Sequence, residues 1–140
     1  MRNISAVFFL ASLLGLYSAP SMYAHHGNAA YDMKHKVTLT GAVTELSLAN
    51  PHSTVAFDVK DAQGNVSHWT VEFGVLRDLA AAGWSNDTLK PGDQIKLAVH
   101  PKADGGPVGI LADGNITYAD GRALTLNPPQ QTAHRPPIRW

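Results

Sequence analysis

Val37-Thr-Leu-Thr-Gly-Ala-Val-Thr-Glu-Leu-Ser-Leu-Ala-Asn-Pro-His-Ser-Thr-Val-Ala-Phe-Asp-Val-Lys60 is the stretch whose reading decides the fold. It divides into two strands at Asn50-Pro51-His52, because proline gives no amide to a ladder and restricts the residue before it. Val37, Leu39, Gly41 and Val43 share one face of the first strand. Beyond Glu45 the apolar positions become Leu46 and Leu48, so the buried face changes. A change of parity within one strand calls for a bulge or a sharp coil, and Gly41 removes the side chain where a barrel strand has to bend.

Outward from that stretch, Ser53 to Lys60 alternates, with Val55, Phe57 and Val59 inward. Asp61-Ala-Gln-Gly-Asn65 is a turn by composition, and Val66 to Phe73 alternates again with Trp69, Val71 and Phe73 inward. Folding this hairpin symmetrically about Gln63 sets Phe57 against Trp69 and Val55 against Val71. The same register puts Asp58 opposite His68 and Thr54 opposite Glu72 on the outer face; a one-residue slip would exchange inside and outside.

Gly74 ends the third strand. Val75 to Ala82 is read as a helix, with Leu76, Leu79 and Ala80 on one side, Gly83 as its cap and Trp84 closing over its end. Lys90-Pro-Gly-Asp93 turns into a fourth strand, Gln94 to His100, with Ile95, Leu97 and Val99 inward. A fifth strand runs from Gly109 to Tyr118 and is interrupted at Asp113-Gly114. Three strands, a helix and two strands, with a long bent first strand, is the order of an OB-like Greek-key barrel: all-β, five-stranded, one helix between strands 3 and 4. An open five-stranded sheet under a helix is the competing arrangement; the coil in the first strand favours closure.

The ends of the chain read differently. Met1-Arg2-Asn3, an apolar run from Ile4 to Leu16 and a small-residue stretch to Ala24 have the layout of a secretory signal peptide, residues 1–24. Residues 25–36 form a polar leader arm without a period, 37–126 the barrel domain, and 127–140 a proline-rich tail expected to be disordered. Export to the periplasm or outside the cell is therefore expected, without stable membrane insertion after cleavage. With Arg2 removed, the chain's 11 basic residues fall to 10 against 11 acidic ones. No basic stripe is left for nucleic acid. The absence of cysteine excludes disulfides and thiolate metal sites.

Seven histidines in a cysteine-free chain are the compositional anomaly, and imidazole with carboxylate suits copper or zinc. His25 and His26 begin the exported chain, where an α-amine and an imidazole can share one copper; the bland alternative is a polar junction. His52 opens the second strand on the same face as Thr54, level with Glu72, so histidine and carboxylate make half a metal site or an acid/base pair. The plain alternative is an exposed turn histidine. Asn50, Asp58, His68 and His100 complete the binding-face candidates, with His68 most simply a surface partner of Asp58. His52 and His100 flank the ligand face, but strand directions send them toward opposite ends. No nucleophile motif, phosphate loop or dinucleotide fingerprint is present.

Ala24-His25-His26, Tyr31-Asp32, Val37-Thr-Leu-Thr-Gly41, Asn50-Pro51-His52, Trp69-Thr-Val-Glu72, Gly83-Trp84, Leu89-Lys-Pro-Gly-Asp93 and Asp120-Gly121-Arg122 occur in this order. Together they resemble a family of small exported proteins of Gram-negative bacteria known as a domain of unknown function. The resemblance covers His25 to about Leu124 and implies a periplasmic location and one domain; it brings no activity. Members follow the His pair with Ser and an aromatic, where this chain has Gly27-Asn28, and place Ser-Pro after the glycine of strand three, where it has Val75-Leu76. The residues leave three readings open: a binding protein holding copper or zinc through His25, His26, His52 and Glu72; a metal-free recognition module presenting its strand 2–3 face to a peptide, glycan or envelope partner; and, least supported, an enzyme built on His52 and Glu72.

Overall fold

The structure, a computed structural model, describes residues 28–127. The expected signal peptide, His25, His26 and the tail from residue 128 lie outside the described residues. Strands β1 (Val37–Ser47), β2 (Ser53–Lys60) and β3 (Val66–Gly74) are followed by helix α1 (Leu76–Ala81), then β4 (Gln94–Pro101), β5 (Val108–Tyr118) and the two-residue β6 (Ala123–Leu124).

β1 pairs antiparallel with both β2 and β4, β2 with β3, and β4 with β5. The ring closes where β3 and β5 run parallel at Thr70–Val108, Val71–Gly109 and Glu72–Ile110. The circuit β1-β2-β3-β5-β4 is a closed, mixed five-stranded barrel of the OB type, with β6 added to β5. The open-sheet arrangement is thereby excluded.

β1 serves two neighbours by using its halves differently. Its first half, from Val37 to Ala42, pairs with β4, and its second half, from Ala42 to Ser47, pairs with β2. The ladder to β2 jumps from Val43–Phe57 to Glu45–Ala56, leaving Thr44 as the extra residue of a bulge. That bulge is the face change seen in the sequence: Val43 is buried before it, and Leu46 and Leu48 pack on the core after it. Gly41 proves to be a point of close approach as well as a bend. A Cβ built there would overlap the Asp58 carbonyl oxygen and press on the Phe57 ring.

The β2–β3 register is the one that the alternation predicts, including Phe57–Trp69, Val55–Val71, Asp58–His68 and Thr54–Glu72. Its inward residues Val55, Phe57, Val71 and Phe73 meet Ile95, Leu97 and Val99 of β4 and Ile116 of β5 in one core. The interruption in β5 is a bulge. β4 advances from Leu97 to Val99 while β5 spans Ile116 back to Leu111, so residues around Asp113-Gly114 loop out.

The regular part of the helix is one residue shorter at each end than the apolar pattern suggests, with Val75 as N-cap and Ala82 as C-cap. Leu79 plugs the barrel; Ala80 is exposed and Ala82 packs on the core instead. Gly83, at φ of 90°, adopts the left-handed conformation that favours glycine. It lets the Gly83 and Trp84 amides return to the Ala80 and Leu79 carbonyls at 3.0 and 2.9 Å, a Schellman closure with Trp84 packed over Leu79. Trp84 then lies 5.1 Å from the Phe73 ring and donates Nε1–H to the Thr125 carbonyl at 2.7 Å.

Candidate functional site

The site begins with the segment that carries the least pattern. Asn28–Ala30 form one 3₁₀ turn, after which Tyr31 makes a lone antiparallel bridge with Lys102. The Asp32 amide donates to the Pro101 carbonyl at 2.8 Å, and the Ala103 amide donates to the Ala30 carbonyl at 2.9 Å. Farther along, Lys36 forms an ion pair with Asp113 at 2.8 Å, and the His35 carbonyl lies 2.7 Å from His100 Nδ1. The leader arm is thus laid across the β4–β5 end of the barrel and tied to the β5 bulge.

Docking the arm creates a cleft of about 550 Å³, within the size range of small-molecule sites. The arm supplies Asn28, Ala30 and Tyr31 as one wall. The β1–β2 hinge contributes Pro51 and His52, with the Asn50–Pro51 peptide in the cis form. β3 contributes Glu72, Phe73 and Gly74, and β5 contributes Ile110, Leu111 and Gly114. The cleft therefore combines an apolar floor with an imidazole, a carboxylate and a phenol.

Glu72 reaches this cleft by strand parity. Val71 and Phe73 face the core, so Glu72 faces out, beside Thr54 on β2 and Ile110 on β5. Its Oε1 accepts a hydrogen bond from the Tyr31 hydroxyl at 3.3 Å. Partial burial, then the charge of Glu72 and its hydrogen bond, raise the Tyr31 pKa above its ordinary value, opposed in part by Lys102. His52 stands exposed at the rim, one residue before buried Ser53. The Ser53 hydroxyl bridges back to the Ala49 amide and carbonyl at 3.3 and 3.4 Å, closing the hinge that presents His52.

The sequence candidates separate accordingly. His52 and Glu72 come together on one cleft. Asn50 is an exposed hinge residue beside Pro51 and does not line it. His68 and Asp58 face each other on the outer hairpin surface, Nδ1 to Oδ1 at 2.6 Å, clear of the cleft lining. His100 lies within β4, opposite Ile110, and its Nδ1 is engaged by the His35 carbonyl. His100 does not line the cleft that His52 lines, and the closure of the barrel sets it two strands from Glu72, through Ile110. His35 is exposed, and its Nδ1 meets Asp32 Oδ2 at 2.7 Å.

Among the described residues no group of three or more His, Cys, Asp or Glu side chains is placed to hold a metal ion. His52 and Glu72 offer an imidazole nitrogen and a carboxylate oxygen, so an ion there needs further donors. Tyr31, Ile110 and Leu111 are cleft residues that residue chemistry did not single out. Tyr31-Asp32 stood among the ordered motifs, which was the one available signal for it.

An OB-type barrel with an arm-walled cleft is the class that fold and site define. The chain belongs to a family of unknown function, DUF6152, whose model matches residues 14–112. That span takes in the arm, the barrel through β4 and the first part of β5, including Ile110 and Leu111 of the cleft but not Gly114. Searches of curated proteins and of solved structures found no match.

Proposed function

We propose that this protein is an exported, periplasmic binding protein that takes a copper or zinc ion in the arm-walled cleft. His52 and Glu72 are the barrel's donors, and His25 and His26 are the donors brought by the arm. The observation that carries this reading is the return of the arm: Asn28 and Tyr31 line the same cleft as His52 and Glu72. His26 lies two residues before Asn28 in the chain, and an extended chain spans about 3.3–3.6 Å per residue. His26 is therefore within reach of a cleft that Asn28 already lines. Two or three imidazoles and one carboxylate make a donor set suited to either ion.

The test is calorimetric titration of copper(II) and zinc(II) into protein purified from the periplasm of an expressing bacterium, with intact mass defining its N-terminus. Micromolar or tighter binding by the wild type, weakened by His52→Ala, is expected. Binding no tighter than millimolar, or an isotherm unchanged in His52→Ala, would overturn the reading.

The apolar floor of Pro51, Phe73, Ile110 and Leu111 supports a second reading, a metal-free recognition module, because a bare ion has no use for it. Chemical-shift mapping with cell-wall fragments separates the two. Shifts around the cleft and the strand 2–3 face that persist in chelator favour recognition over metal.

A further inference from the structure

We infer that the arm-walled cleft is a site for a small amphipathic primary amine, its ammonium held by Glu72 and its hydrocarbon body laid on the floor beside Ile110. This deepens the recognition reading of the cleft and rests on it, not on the metal reading. Among the described residues the lining holds one carboxylate, Glu72, and one imidazole, His52, and no Lys, Arg or Asp. Lys36 and Lys102, at the two ends of the arm junction, pair with Asp113 and Asp104. Glu72 has no ion-pair partner among the described residues, so its charge is left to whatever enters the cleft.

Register sets this acid beside hydrocarbon. Glu72 of β3 pairs with Ile110 of β5, so the two side chains leave neighbouring strands at one level and on one face. Leu111 and the buried Phe73 continue the apolar lining. Glu72 Oε1 accepts the Tyr31 hydroxyl at 3.3 Å, and no side chain among the described residues bonds Oε2. Burial first, and then Glu72, raise the Tyr31 pKa, which keeps the phenol a protonated donor. An ammonium at Oε2 completes the hydrogen bonding of the carboxylate, and the half-buried position of Glu72 strengthens the attraction over that in bulk water.

Other ligand classes match this lining less well. An anion meets the charge of Glu72, and a neutral molecule leaves that charge without a partner. A lysine side chain of a protein partner brings a peptide backbone behind its ammonium. The polar groups of that backbone would lie unpaired on Ile110 and Leu111, which is costly. A free amine with an apolar tail satisfies both ends of the cleft.

The experiment titrates hexylamine, in the presence of chelator, into isotopically labelled full-length exported protein purified from the periplasm, read by amide chemical shifts. Shifts at Tyr31, Gly74 and Leu111 are expected, with a Kd of about 1 mM or tighter. Affinity should rise by up to about fourfold per methylene from ethylamine through butylamine to hexylamine, as buried hydrocarbon requires. Glu72→Gln should weaken hexylamine by about tenfold or more, the worth of a charged hydrogen bond. Asp58→Asn, on the outer hairpin face and clear of the cleft, should leave it unchanged. Circular dichroism checks that both variants are folded. Hexanoate or hexanol binding as tightly as hexylamine would overturn the inference, as would affinity that ignores chain length. So would an unchanged affinity in Glu72→Gln, or an equal loss in Asp58→Asn. A capped tripeptide with a central lysine that binds as tightly as hexylamine would overturn it in favour of a protein partner. If hexylamine leaves the cleft amides unmoved while cell-wall fragments shift them, this inference fails and the recognition reading stands. If neither moves them, both fail.

Discussion

The β2–β3 hairpin and the leader arm are both close to the cleft, yet they are held by different physics. The hairpin pairs along its whole length, from Ser53–Gly74 to Lys60–Val66, and buries one face in the core. Its neighbours in space are its neighbours across one turn, so each residue's position follows from alternation. The arm has one 3₁₀ turn, one isolated bridge and no buried residue in that turn. Its partners, Glu72, Pro101, Ala103 and Asp113, lie far along the chain. An element held by its own pattern is stiff and legible; one held by a few polar contacts can be released without unfolding the domain. The cleft is built where the two meet.

The hardest way to strain this contrast is to remove a side chain that the hairpin buries. Phe57 is fully buried between β1 and β3. Phe57→Ala is expected to lower unfolding free energy by about 3–5 kcal/mol, read from urea denaturation. A loss below about 1 kcal/mol would show that the hairpin is not the stable half of the comparison.

Gly41→Ala comes next. The added methyl would collide with the Asp58 carbonyl where β1 crosses β2, and overpacking of this kind costs about 1–3 kcal/mol. Thermal unfolding of the variant measures it; an unchanged melting temperature would show that β1 shifts at no cost.

On the arm, Tyr31→Phe removes one partly buried hydrogen bond to Glu72. The expected loss of global stability is about 0.5–1.5 kcal/mol at most. Hydrogen exchange should quicken at the Asp32 and Ala103 amides, which bond across the arm junction, and stay unchanged at the Val55 and Val71 amides of the hairpin. Faster exchange in both regions would mean that the arm is part of the barrel's cooperative unit.

The smallest effect is in acid. Asp61, in the hairpin turn, has its pKa lowered below 3.8, chiefly by the Asn65 side chain and amide. Asp32, in the arm, is lowered from the same value, chiefly by His35 and then the Lys34 amide. A carboxylate with a depressed folded pKa stabilises the folded form above its unfolded pKa. That contribution is lost as pH falls through the folded value. Asp61→Asn should therefore flatten the decline of global stability below about pH 4. Asp32→Asn should flatten only the acid dependence of arm-amide exchange. Both groups are exposed, so the changes are small; a larger global effect from Asp32 would break the comparison.

Much of the barrel was legible because its signals are local. The change of parity after Glu45 marked the Thr44 bulge, and the hairpin's alternation specified a register that the structure keeps. Gly83 before Trp84 marked the helix end. The side facing of α1 was read less well, since six residues give too short a window to separate Ala80 from Ala82. Of the site, His52 and Glu72 were legible because pairing brings Thr54 to Glu72. Tyr31 was not, because a segment without periodicity carries no mark of which distant strand end it will cross.

The amino-acid sequence by itself determined the element order, the bulge and the β2–β3 register, since each follows from turn chemistry and period-two burial. Closure of β3 on β5, the docking of the arm and the meeting of Tyr31 with Glu72 were decided by tertiary structure. Those contacts join residues distant in sequence, and their energy depends on a strand slant and a backbone path that no local pattern encodes.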